Sequence, residues 1–189
     1  SMTTTSGSIF SATVTASGAG VPGPLDDKVA VRFGVFPNVT HAPGLVELAD
    51  NGPLRKLLPN ADIEVQSFSS GTKAVEAMFS DAIDITFVGP NPAIKAWQTS
   101  HGSLIRIISG AASGGAALVV KKGIVRPAQL KGQKLATPAL GGTQDVALRY
   151  WLRQQHLTTT QAGGGDVPIT PLTPNSAAVL QFTSGQIAG

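Results

Sequence analysis

Cysteine is absent from this 189-residue chain. That excludes a disulfide scaffold, a thiolate nucleophile and any zinc or iron–sulfur site built on cysteine. Charge is scarce as well: Asp, Glu, Lys and Arg together make up 13% of the residues, with a formal net charge of +3. Proteins that bind nucleic acid cluster Lys and Arg on one face. Here the basic residues are scattered, and the densest group, Lys121-Lys122 with Arg126, is short. No nucleic-acid partner is expected, and the slight positive balance would attract a small anion only weakly. No apolar run reaches the eighteen or so residues that a membrane span requires. The three histidines, His41, His101 and His156, form neither an i, i+4 pair nor an H-E-x-x-H motif, so zinc chemistry has no support. There is no G-x-S-x-G elbow. No cofactor or metal is expected.

What the chain does have is apolar residues (42% of the total), enough for one domain or two small lobes. Residues 1–27 are rich in Ser, Thr, Ala and Gly and end in Val21-Pro22-Gly23-Pro24; they read as a flexible arm or tether. Ser1-Met2 reads as an added scar, so any signal or lipid-anchor segment would have stood ahead of residue 1. From Val29 onward strands and helices alternate with short connections, the pattern of parallel α/β architecture. Strands are expected at Val29–Phe36, Ile63–Phe68 and Ile83–Val88, and helices at Leu45–Asn51, Lys73–Ser80 and Pro92–Gln98. Ile105–Ile108 and Ala116–Val120 read as two further strands joined by small residues, a crossover in which glycines can absorb hinge rotation. This divides the folded part into a first lobe, 28–114, and a second, 115–189. The second lobe would hold a short helix at Ala128–Leu130, a strand at Val167–Leu172 and a helix at Ser176–Ser184. Gln161–Asp166 reads as a loop whose glycines carry no nucleotide-binding spacing.

One stretch organises the rest: Lys134 to Leu152 reads as a strand, a turn holding Gly141-Gly142, and an uninterrupted helix. Thr143 is a natural N-cap there. The paired glycines leave no Cβ between the turn and a ligand approaching the free amides of the helix start. The same grammar recurs upstream. Ser69-Ser70-Gly71 opens a helix after one strand, and Gly89-Pro90-Asn91-Pro92 follows another. Three such turns at strand ends point to one cleft at the carboxyl edges of parallel strands, where open α/β sheets bind ligands. His41 follows the first strand end into the same region. Asp145, in a first helical turn, also sits where the helix dipole favours an acid.

The run Thr137-Pro138-Ala139-Leu140-Gly141-Gly142-Thr143-Gln144-Asp145-Val146-Ala147-Leu148-Arg149 resembles a signature of ABC-transporter substrate-binding proteins, those of the aliphatic sulfonate, taurine and nitrate group. Phe36–Pro43, Ser67–Gly71, Asp84–Pro92 and Ala112–Val120 are similar to further blocks of that group, so the likeness runs from about Val29 to Gly189. It implies a two-lobed periplasmic-binding fold with hinged α/β sandwich lobes. Such a protein captures a small anionic solute, alkanesulfonate- or taurine-like, and hands it to the membrane permease of an importer; it is extracytoplasmic and not an enzyme.

Carried over residue by residue, the ligand contacts would be Asn38, Thr40 and His41; Ser70 and Gly71; Gly89, Pro90 and Asn91; Gly114 and Gly115; and Thr143, Gln144 and Asp145. Asp145 facing an anion would be unfavourable, so it is expected to point away or pair locally. Gly142 departs from the asparagine often found there. Family members continue through a W-x-P-E-P-W-like segment back into the first lobe. The resemblance therefore implies a fold incomplete at its C-terminus, weaker in binding or completed by exchange in a dimer. Two other classes remain open: a sensor or adaptor domain, and an enzyme reusing the fold. The thiamine-pyrimidine synthase relatives use a cysteine-bearing metal motif, which the lack of cysteine argues against.

Overall fold

The computed structural model describes residues 28–114 and 116–189. The expected arm over 1–27 and Gly115 lie outside the described residues. The α/β alternation is present, and it builds two separate parallel sheets. In the first, β1 (Val29–Val35) runs between β2 (Ala61–Ser67) and β3 (Ile85–Thr86). β1 is central because its apolar side chains have two neighbours to meet. Phe33 and Val35 are buried with Ile63 of β2 and Leu48 of α1 (Ala42–Leu48), and Leu54 of α2 (Pro53–Leu57) packs against them. Burying each such side chain contributes about 1.5–3 kcal/mol. A second patch joins α3 (Gly71–Phe79) to α4 (Pro90–Thr99) through Ala93, Ala96 and Ile105, with Val75, Met78 and Val88 against them.

β3 is shorter than its sequence suggests. The backbone N–H of Arg32 donates to Asp84 Oδ2 at 2.8 Å, and its guanidinium donates to both carboxylate oxygens, at 3.0 and 2.7 Å. Asp84 therefore closes the strand start with its side chain. These bonds, the guanidinium's first, hold its pKa down to about 2.

The second sheet pairs β4 (Leu135–Thr137) with β5 (Ile169–Pro171) in parallel. Along the other side of β4 the backbone of Ala188 donates to Lys134 and Gly189 accepts from Ala136, while Lys121 donates to Ala188. Leu130, Leu135, Leu148, Leu152, Val167 and Ile169 form the core beneath, with Leu148 and Leu152 supplied by α5 (Thr143–Gln154). α6 (Asn175–Thr183) follows β5.

Three expectations need correction. The first helix starts at Ala42, three residues early, because Pro43 suits the first turn of a helix better than the turn before it. Gly52-Pro53 stands directly after the expected Leu45–Asn51 helix, where it would act as its stop; it is instead the N-cap and first residue of α2. Ile105–Ile108 and Ala116–Val120 are not strands. Their β-branched composition fits a pleated surface, yet neither run pairs with a strand among the described residues, and Ile107, Ile108 and Val119 are exposed. Strand preference without a ladder partner is not enough. Ile105 is instead buried against α4, and Leu118 and Val120 pack on the second core.

Candidate functional site

The carboxyl ends of β1 and β2 and the start of α6 border a cleft of about 410 Å³. Pro37, Asn38, Ser67, Phe68 and Ser69 line it from the first sheet, and Pro174, Asn175 and Ser176 from the second. None of these side chains is charged; the lining offers hydroxyls, amides and one aromatic ring. Two hydrogen bonds set the second wall beside the end of β4: Thr173 Oγ1 donates to Pro138 O at 2.5 Å, and Leu172 N donates to Thr137 O at 2.8 Å. Residues 174–176 were not singled out from sequence. The signal was there, since Leu172-Thr173-Pro174-Asn175-Ser176 repeats the grammar of strand end, small polar turn and helix start.

Next in the chain after the Ser67–Ser69 turn, the helix starts crowd together. Ser70 caps α3, its Oγ accepting from Lys73 N at 3.4 Å. Gly71, the first residue of α3, lies so close to Pro92 that a Cβ would stand 2.6 Å from Pro92 Cγ. Gly89 caps α4, and a Cβ there would overlap Thr143 Oγ1, the hydroxyl at the start of α5. Gly71, Gly89 and Thr143 thus join the starts of α3, α4 and α5, two from the first sheet and one from the second. Pro90 and Asn91 form the first turn of α4, and Gln144 is exposed on the first turn of α5.

Thr143 is not the N-cap expected of it. Gly142 takes that position in an extended conformation, without a side-chain cap. Gly141 turns the chain at a φ of 74°, a region that favours glycine. Its N–H is held by Asp145 Oδ2 at 3.0 Å, from inside the first turn. The cap is made backwards, and this leaves the Thr143 hydroxyl at the junction with Gly89.

Asp145 is 1% exposed and paired on every side. Its Oδ1 accepts from Thr137 Oγ1 at 2.9 Å, and its Oδ2 also accepts from Arg149 Nε at 2.9 Å. Burial alone would raise its pKa; the bonds from Arg149, Gly141 and Thr137 outweigh it and hold the carboxyl below its ordinary range. A carboxylate so occupied pairs locally and has no oxygen left for a solute.

The first strand end is equally self-contained. Asn38 Oδ1 accepts from Thr40 N at 3.1 Å and from Thr40 Oγ1 at 2.5 Å, capping a 3-10 turn over Val39–His41. His41 is 9% exposed, stacked on Phe36 with ring centroids 3.9 Å apart, and its Nδ1 accepts from Phe36 N at 3.2 Å. Burial lowers its pKa. The fold therefore prefers the neutral ring, while the unfolded chain takes up a proton near pH 6.5. This contribution to stability is complete above about pH 6.5 and is lost as the pH falls through the lower folded value. Urea titrations at falling pH should show that loss below about pH 6.5, and His41→Phe should flatten it. Gly114 is exposed, with no atom within 4 Å of where a Cβ would stand.

The sequence description of the NMT1-like family matches residues 26–189. The chain belongs to the NMT1-like family. It is 28% identical over 125 residues to the taurine-binding periplasmic protein of Escherichia coli strain K12, a match covering 65% of this chain and 38% of that protein. The crystal structure of the periplasmic aliphatic sulphonate-binding protein SsuA from Escherichia coli superposes with a TM-score of 0.55 at 25% identity. That match covers 85% of this chain and 52% of SsuA. The alkanesulfonate-binding SsuA from Xanthomonas axonopodis pv. citri, bound to MOPS, gives a TM-score of 0.60 at 22% identity over 87% of this chain and 54% of the other. This NMT1-like chain thus spans about half the length of these solved relatives and 38% of the taurine-binding protein, and it shares the periplasmic-binding fold read from its sequence.

Proposed function

We propose that this chain captures a small sulfonate or related anion, as part of the extracytoplasmic solute-binding component of an ABC importer. The observation that carries this reading is the uncharged cleft between the strand ends of the two sheets, bordered by Asn38, the Ser67–Ser69 turn and the start of α6. Hydroxyls, amides and the positive ends of helices hold a weakly basic anion without a buried Lys or Arg. A sulfonate suits them: its charge is permanent and spread over three oxygens, so the site has no proton to manage. Phe68 supplies an apolar contact for a short carbon tail.

The proteins named as relatives are taurine- and sulfonate-binding proteins, which supports capture without chemistry, in the periplasm, and delivery to a membrane permease. In this reading residues 28–114 and 115–189 are two lobes, and the segment around Gly114 links them. Asn38, Ser70, Gly71, Gly89, Thr143 and Gln144 stay as proposed contributors, joined by Asn175 and Ser176 of the second wall.

Thermal unfolding in the presence of taurine, ethanesulfonate, butanesulfonate, nitrate and sulfate tests the proposal. A ligand bound by the folded state alone, at a hundred times its Kd, adds about 2.7 kcal/mol of stability. A rise in Tm with one sulfonate class is expected. No rise with any of the five, in a folded sample, would overturn the reading.

A further inference from the structure

We infer that Asp145 is a positioning residue: from inside the second unit it clamps the Gly141-Gly142 turn, so that the start of α5 is shaped before a solute arrives. This rests on the anion-capture reading above, and it assigns to Asp145 a role other than contact. The carboxylate accepts from three directions. Thr137 lies at the end of β4, Gly141 in the turn and Arg149 one helical turn further along α5. Strand, turn and helix are fixed to one another by a single 1% exposed side chain. Arg149 carries the tie onward, since its Nη1 donates to Thr160 O at 2.9 Å, in the loop between α5 and β5.

The bond to Gly141 is the informative one. A residue at the third helical position ordinarily reaches back to the N-cap amide; Asp145 reaches one residue further, past Gly142. The amide of Gly141 is consumed inside the protein, and the turn bends at its positive φ. Gly142 and Thr143 are thereby left with no side-chain cap competing for the helix start, and Thr143 meets Gly89 at the start of α4. A free anion-binding turn of this kind would otherwise sample many shapes, because two adjacent glycines restrain little. Pre-shaping it removes an ordering cost from the binding step.

The variants Asp145→Ala and Asp145→Asn separate the possibilities. Asparagine is isosteric: its oxygen can accept from Gly141 and Arg149 while its amide donates to the Thr137 hydroxyl, so the clamp survives without its charge. Alanine removes it. Affinity for taurine and ethanesulfonate is measured by calorimetry at a temperature where each variant is folded, and exchange of the Gly141 amide is followed by NMR.

Expected are a fast-exchanging Gly141 amide and an affinity loss of about tenfold or more in Asp145→Ala, the scale of one hydrogen bond to a charged group. In Asp145→Asn both should return to within about threefold of the parent. Equal affinity in all three proteins would overturn the inference and leave Asp145 a purely structural ion pair. Tighter binding in Asp145→Asn would overturn it too, because relief of repulsion means that the carboxylate faces the solute. Should the parent itself bind none of the five anions named above, the functional reading falls alone. The Gly141 exchange rates then still judge the clamp, which fails if they match in parent and Asp145→Ala.

Discussion

Truncating Leu152 to alanine is expected to cost about 2–5 kcal/mol, the range for emptying a fully buried leucine site, and to act on one half of the molecule. Leu152 is 0% exposed, on the inner face of α5 among Leu135, Leu148, Val167 and Ile169. The first sheet's core, Phe33, Val35, Leu48 and Ile63, is a separate cluster. Each half carries its own reporter: Trp97 on α4 and Trp151 on α5. With Trp97→Phe in the background, the fluorescence of Trp151 follows the second unit; with Trp151→Phe, that of Trp97 follows the first. In the Leu152→Ala protein the Trp151 transition should move to lower urea while the Trp97 transition stays close to its parent. If both moved together by the full amount, the two cores would unfold as one cooperative unit and the lobe division at residue 114 would fail.

The elements of the two sheets illustrate what could be read from the chain alone. Periodicity and helix punctuation are local properties, and they located β1, β2, α3, α4, α5 and α6 to within a few residues. The same local logic misjudged Ile105–Ile108 and Ala116–Val120, because a strand exists only where another strand accepts its hydrogen bonds. Gly52-Pro53 misled for a related reason: Gly-Pro ends one helix and opens the next with equal ease, and only Leu54 reaching the first core decides which occurs.

The site shows the same boundary between local and tertiary information. The recurring turns marked where helices begin, but not which groups the fold would use up internally. Asp145 and His41 both follow strand ends of this kind. Each is consumed by neighbours, the acid by Thr137, Gly141 and Arg149, the imidazole by the backbone and ring of Phe36. Conversely, Asn175 and Ser176 carry the same local signal of a helix start after a strand end, and the placing of α6 across from Asn38 is what makes them a wall of the cleft.

A methyl group at Gly89 is the second large effect expected, and it tests whether the starts of α4 and α5 meet in solution. Gly89 has an extended backbone at φ −68° and ψ 158°, which alanine adopts without strain. The obstacle is steric alone. A Cβ would overlap Thr143 Oγ1 and lie 3.1 Å from Thr143 Cβ, so the hydroxyl is the main obstacle and the two backbones would have to part only slightly once it is gone. Gly89→Ala should therefore destabilise by about 1–3 kcal/mol, as overpacking does, or else push the two helix starts apart and weaken sulfonate binding. Thr143→Ala removes the hydroxyl from the other side. On its own it should be mild, and combined with Gly89→Ala it should recover most of the loss, giving a coupling of about 0.5–3 kcal/mol in a double-mutant cycle. Urea unfolding and taurine titrations of the four proteins measure both readouts. Additive effects, with no recovery in the double variant, would mean that the contact between Gly89 and Thr143 is not made in solution. Strong coupling would place the Thr143 hydroxyl at the joint between the two sheets, where a group from the second unit helps to decide whether the cleft is formed.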